Sequence, residues 1–370
     1  MIIRKIYYLF LVLLLSPNLV FAGIDDKIPV KVRVFHDLSE IKLGITSQFE
    51  IYLYPQKIKI LDGYFLKIAP IKVVNNRGII FGDKFYLCKE IYISSKNNGA
   101  LTVNGRKFRN DIRIRIINNK FEVINILSLK NYLQGVLCRE IAPSWGKEAL
   151  KAQAIISRTY ALYKMNSSVE QEYHLSSDVY SQVYGGLYSE DIRTNQAIED
   201  TDGLVIENDS NIIPAYFHAS CGGHTENIKE IWSLKSDVLS DKECSFCKDS
   251  PYFNWTAIIK KTDISSLNIL SKSESGRVTW MEVIDNKGVS TKMSGNTFRL
   301  TVGPDILKST MFDFEIRDKD ILFKGNGWGH GVGLCQWGAK EMAEKHKMSA
   351  EEILKYYYRD VELVRLGVKS

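Results

Sequence analysis

The 370-residue chain has no long apolar run after its first few residues, no dense set of cysteines and little net charge. The missing apolar run excludes a membrane-crossing helix anywhere beyond the N-terminus, since a span needs about 20 such residues. There are six cysteines, and Cys88, Cys138 and Cys335 stand singly in strand- or helix-like surroundings, so no cystine framework organises the fold. A net charge of +6 is too small to indicate nucleic acid and leaves room only for a mild preference for an anionic polymer. Residues 28–126 contain no cluster of metal ligands or nucleophiles. The glycine-rich stretch near the C-terminus has neither the nucleotide P-loop spacing nor the dinucleotide fingerprint. What remains is ordinary globular composition, 45% hydrophobic and 25% charged, in a chain long enough for one large or two medium domains.

The N-terminus is laid out for export. Arg4 and Lys5 precede an apolar run from Ile6 to Leu15, a break at Ser16-Pro17 and the cleavage-like Val20-Phe21-Ala22. Residues 1–22 therefore read as a secretory signal peptide, with an uncleaved signal anchor as the alternative. No cysteine follows the cleavage site, which argues against a lipoprotein. Export across a bacterial inner membrane implies a periplasmic or wall-associated protein, and it makes disulfides possible.

From Ile28 to Ile126 the pattern is period-two strands such as VKVRVF (30–35), FEIYLY (49–54) and DIRIRII (111–117), punctuated by turn signals at Asp62-Gly63 and Asn97-Asn98-Gly99. The stretch NYLQGVLCREIAPSWGKEALKAQAIISRTYALY (131–163) then changes to helical spacing. Pro143 breaks it into two helices and leaves Glu140 at the end of the first. The second runs from about Lys147 to about Lys164, its small apolar residues suited to close packing. Lys151 and Arg158, seven apart, project from one face. A carboxylate at a helix end, faced by a cationic helix, is what acid/base chemistry on a polar substrate needs. A second, shorter helix-like segment lies between Glu190 and Asp200. Strands return after Trp255, where GNTFRLTVG (295–303) reads as a turn plus strand. Ser349 to Glu352 forms a capping box before a last short helix.

The run YLxGVxxxEIxPxWxxEALKAQAxxxRTYAL resembles the central motif of the SpoIID/LytB family of cell-wall proteins, the stage II sporulation protein D and amidase-enhancer group. SQVYGG with its following helix (181–206) and GxGHGVGLxQWGA near the C-terminus are similar to further signatures of that family. The resemblance implies an α+β fold: a β-rich N-terminal region (23–126), followed by a mixed α/β catalytic core (127–366) that carries a β insertion at about 255–323. It implies a peptidoglycan lytic transglycosylase that cuts between N-acetylmuramic acid and N-acetylglucosamine and leaves a 1,6-anhydro sugar, with Glu140 as its acid and base. Lys151 and Arg158 match positions associated with substrate, and Tyr160, Ser181, Gln182, His330 and Gln336 are expected around the groove. The expected partners are glycan strands, and a cell-wall amidase or other remodelling proteins. The alternative is a non-catalytic wall-binding protein that stimulates an amidase.

His218-x2-Cys221 and Cys244-x2-Cys247 have the spacing of a four-coordinate zinc site, each pair turning onto one ion. A disulfide from Cys221 to Cys244 or Cys247 is the competing reading. Four protein ligands leave no open position, so such a zinc is structural, and a zinc amidase built on these residues is disfavoured.

Overall fold

The structure, a computed structural model, describes residues 23–367 apart from 97–98, 169–170, 179–180, 233 and 263. The expected signal peptide lies outside the described residues. The fold is α+β, with seven helices and 24 strands among the described residues.

The N-terminal part is a pair of sheets. Six strands within Pro29–Ser128 and the short parallel edge strand Leu175–Ser176 build a seven-stranded sheet. A six-stranded sheet built from Glu40–Ile45, Leu66–Val74, Gly78–Phe81, Lys84–Leu87, Ala100–Val103 and Arg106–Arg109 covers it. The period-two pattern sets the packing. Phe49, Ile51 and Leu53 alternate inward with Ile91 and Ile93, and Ile112 and Ile114 pair across from them in register.

The last long strand, Lys120–Ser128, runs straight into helix α1, Leu129–Glu140. Ser128 caps that helix with its hydroxyl accepting from the Asn131 N–H. Leu133, Val136 and Leu137 bury its inner face in the same core as the sheets. The helix stops where Ile141 turns extended, two residues before Pro143. Helix α2, Lys147–Ser167, follows, with Ala149, Ala152 and Ala154 buried and allowing close approach. Helix α3 spans Ile192–Asp200 and α4 spans Ile228–Trp232.

The insertion between Asn254 and Asn326 forms two three-stranded sheets around its own small core of Trp255, Met281, Phe298 and Phe323. Within it, Gly295–Val302 is a helix, α5, and not the turn plus strand expected from its β-branched and aromatic residues. Ser294 accepts from the Thr297 N–H and Gly303 takes a positive φ at the other end. The two caps outweigh intrinsic strand preference. Helices α6, Gln336–Glu344, and α7, Ala350–Tyr357, come next, the latter with the expected Ser349/Glu352 capping box, and a short strand, Glu362–Arg365, follows them.

Two distant loops are laced together beside α1. Phe217–His218 pairs in parallel with Leu334–Cys335, and bridges join Ser220 to Trp328 and Glu226 to Val332. This lacing assembles the floor and one wall of the cleft.

Candidate active site

Glu140 stands at the C-terminal end of α1, half-buried, and its Oε1 accepts the Val183 N–H at 2.8 Å. The 182–186 loop reaches it because Gly135 lets the loop lie against the helix. A Cβ at Gly135 would come within 2.4 Å of Tyr184, and the Gly185 N–H donates to the Gly135 carbonyl. Tyr184 is anchored in turn, stacking on Tyr132 and donating to Asn125 Oδ1 at 2.7 Å. From the other side Gln336 Nε2 donates to the Glu140 carbonyl at 2.9 Å, and to Gln153 Oε1. Burial pushes the Glu140 carboxyl up to about 7, against the smaller opposing effect of the Val183 N–H. The negative end of the α1 dipole acts in the same direction as burial.

Glu140 opens onto a cavity of about 250 Å³. Tyr160, Tyr216 and Trp232 form an aromatic wall, with Tyr216 stacked on Trp232 at 4.5 Å and edge-on to Tyr160. His218 and His330 lie beside it with ring centroids 5.7 Å apart. His218 Nδ1 donates to the Val332 carbonyl, and His330 Nδ1 accepts the Val332 N–H. Burial, with Arg277 nearby, lowers the His218 pKa to about 3, and burial likewise drives His330 well below its ordinary range. Both rings are therefore neutral near pH 7. Gly329, at φ +111°, lies against His218, where a Cβ would come within 2.7 Å of the histidine Cβ. Among the described residues lining the cavity, Glu140 carries the only carboxyl.

The expected site residues divide. Tyr160, Ser181 and His330 line the cavity with Glu140. Gln336 acts on the backbone of Glu140 and is buried. Gln182 faces inward, its Oε1 accepting from the Tyr132 hydroxyl, so it does not line the cleft. Arg158 is a correction. Its guanidinium is wholly buried, grips Asp25 at 2.8 Å and donates to the Leu204 carbonyl, so it ties the N-terminal segment to α2 and does not reach the groove. Lys151 pairs with Glu148 at 2.9 Å and does not line the cavity. The i, i+7 spacing was right for one helix face, but that face packs against other elements and not onto the cleft. Trp145, five residues beyond Glu140, packs edge-on to Trp337. The sequence reading missed Tyr216, Phe217 and Trp232, although all three sit in the phrase around His218.

A family model described as stage II sporulation protein, SpoIID, matches residues 117–207, the span that contains Glu140 and both of its flanking helices. This stretch is similar to a SpoIID domain. An uncharacterized protein of Brachyspira hyodysenteriae is 29% identical over 361 residues, covering 94% of this chain and 95% of its own. The amidase enhancer of Bacillus subtilis is 29% identical over 287 residues, 61% of this chain, of which the match spans only 39% of the enhancer. The stage II sporulation protein D of Bacillus subtilis is 26% identical, covering 68% of this chain and 79% of its own. A second model, a domain of unknown function named DUF8618, matches residues 250–333.

Beyond the SpoIID span, Cys221, Cys244, Cys247 and Cys335 bring their sulfurs within 4.8 Å of one another, all four buried. The shortest hydrogen-bond-range pair, Cys221 and Cys247, is 3.3 Å apart, outside S–S bonding distance. Four sulfurs about 2.3 Å from one ion at tetrahedral angles stand about 3.8 Å apart, so the set fits a structural zinc. The fourth ligand position is a correction: Cys335 takes the place expected for His218. The parallel pairing puts His218 opposite Cys335, yet the imidazole lines the cavity while the thiol joins the cluster. The cluster has the outer support that thiolates need, since Cys335 Sγ accepts the Cys221 and Gly338 N–H groups and the Tyr357 hydroxyl meets Cys244.

Proposed function

We propose that this chain is an exported peptidoglycan lytic transglycosylase acting in cell-wall remodelling. The observation that carries the reading is a single half-buried carboxyl, its pKa raised to about 7, facing an aromatic-walled cleft with no second carboxyl among its described lining residues. Hydrolysing glycosidases require two carboxyl groups. A lytic enzyme requires one, because the muramyl C6 hydroxyl replaces water.

Protonated Glu140 gives its proton to the glycosidic oxygen as the bond from that oxygen to the muramyl C1 breaks. The C6 hydroxyl then attacks C1 and returns its proton to the same carboxylate, which leaves a 1,6-anhydro ring and restores the acid. A carboxyl poised near neutrality serves both halves. The aromatic faces of Tyr216 and Trp232 suit the C–H faces of sugar rings, and the neutral histidines add polar contacts without placing a charge beside Glu140. Gln336 fixes the helix end from which the carboxyl projects. A zinc held by the four cysteines would be a structural ion, since four thiolate ligands would leave no position for water or substrate.

The family match and the relative named stage II sporulation protein D support this reading. The relative named amidase enhancer favours a second one, in which the cleft holds glycan without cutting it and the chain assists an amidase. Digestion of purified peptidoglycan by wild type and Glu140→Gln, with mass spectrometry of the products, separates the two. Anhydro ends from the wild type alone support catalysis, and glycan binding with no cleavage by either protein supports the enhancer role.

A further inference from the structure

The outer face of the six-stranded sheet is apolar where water should favour polar side chains. Strand Leu66–Val74 pairs with Gly78–Phe81, which pairs with the edge strand Lys84–Leu87. The register sets Lys72 opposite Ile80, Ile80 opposite Phe85 and Gly78 opposite Leu87, so these side chains share one face. Ile68, four residues before Lys72, lies on the same face above Gly44. Ile71 and Ile79 point the other way and are buried. On the outer face Ile68 is 62% exposed, Phe85 53% and Leu87 68%, and the turn that enters this strand adds Tyr64 and Phe65 at 75% and 68%. Single exposed apolar residues mean little, but a contiguous patch marks a surface that meets something.

The same strands are basic. From Leu66 to Leu87 they and their turns hold Lys67, Lys72, Arg77 and Lys84 against Asp83 alone. Glu40 answers part of it by pairing with Lys72. Lys67 and Lys84 form no ion pair among the described residues. An occupant must therefore be anionic and also offer aliphatic surface. A second copy of this face would set like charges against each other, and a sugar strand, though its C–H faces can meet aromatic rings, offers no aliphatic surface to Ile68 and Leu87.

We propose that this face rests on an anionic lipid bilayer. Tyr64, Phe65 and Phe85 enter the headgroup region while the lysines extend their stems to the phosphates. The surface is separate from the cleft and does not depend on the chemistry proposed there. The chain from Gly23 onward, which holds every described element of the fold, is mixed with phosphatidylcholine vesicles with and without phosphatidylglycerol and sedimented. The expected result is co-sedimentation only with phosphatidylglycerol, weakened by salt. Phe65→Ser combined with Phe85→Ser is expected to lower the vesicle affinity roughly tenfold or more, and so is Lys67→Glu combined with Lys84→Glu. Both pairs lie on the surface and should leave the circular dichroism spectrum and soluble glycan cleavage unchanged. Three results would each overturn the proposal: equal recovery with and without the anionic lipid, variants that bind like wild type, or a dimer in sedimentation equilibrium that the phenylalanine variant dissolves.

Discussion

A carboxyl group half-buried at the C-terminal end of a helix, with only one N–H to steady its charge, keeps its proton to an unusually high pH. For Glu140 this has two consequences that separate acid chemistry from mere burial. Cleavage needs the protonated form at the outset, so the rate should fall as pH rises through about 7, by roughly tenfold per further unit. A pH–rate profile on purified glycan checks this, and a flat profile to about pH 9 would remove Glu140 from the acid role. Glu140→Gln should lower turnover by about 10²-fold or more. Stability falls over the same range. The folded pKa lies above the ordinary 4.5, so stability tied to the protonated form is complete below that value and is lost as pH rises through about 7. Glu140→Gln should accordingly melt later than wild type near pH 8, by an amount of the order of 2 kcal/mol, and match it near pH 4. Thermal unfolding at the two pH values measures the difference.

At the scale of elements, two tethers hold the helix that ends at Glu140, and a third fixes α2 behind it. Gln336 joins the end of α1 to α2 and α6 through the Glu140 carbonyl and Gln153. Gln336→Leu should free that end, admit water and lower the Glu140 pKa, so that the basic limb of the rate profile moves to lower pH. A purely structural loss would lower the amount of folded protein without moving the limb. Gly135 is the second tether. Gly135→Ala would push the 182–186 loop off the helix, remove the Val183 N–H from Glu140 and cut both stability and turnover. The third is the buried Arg158–Asp25 pair, which binds the N-terminal segment to α2. Asp25→Ala leaves a buried guanidinium unpaired and should cost about 3–5 kcal/mol of stability. If the folded Asp25→Ala variant keeps its KM for glycan, Arg158 is a clamp; a KM rise at unchanged stability would restore the substrate role expected from the sequence.

Over the whole molecule, the cysteine cluster connects parts of the chain that lie far apart. Cys335 caps α6, and the next residue is the Gln336 that reaches Glu140. Metal analysis of the purified protein should find about one zinc per chain, and Cys335→Ser should lose it together with several degrees of melting temperature; a wild type free of metal would leave four thiols as simple packing. The strands, the α1–α2 break at Pro143, the helix end at Glu140 and the capping box before α7 were all legible in the sequence. Each is set by local means: side-chain period, a proline's missing N–H, or a hydroxyl three residues from an amide. The helix at Gly295–Val302 was legible only in its caps, which were overlooked beside its strand-like composition. Which way a side chain faces once elements meet was not legible, and three site assignments turned on it. Arg158 and Lys151 share a helix face as their spacing requires, but Asp25, from the far N-terminus, and Glu148 occupy their charges. His218 has a ligand's spacing to Cys221, yet pairing with Leu334–Cys335 turns its ring toward the cleft and lets the lone Cys335 complete the cluster. The sequence alone determined the elements and singled out the Glu140 carboxyl, because those depend on near neighbours along the chain. Tertiary structure alone decided that Arg158 pairs with Asp25, 133 positions away, and that Cys335 meets Cys221, 114 positions away, because no local pattern encodes either contact.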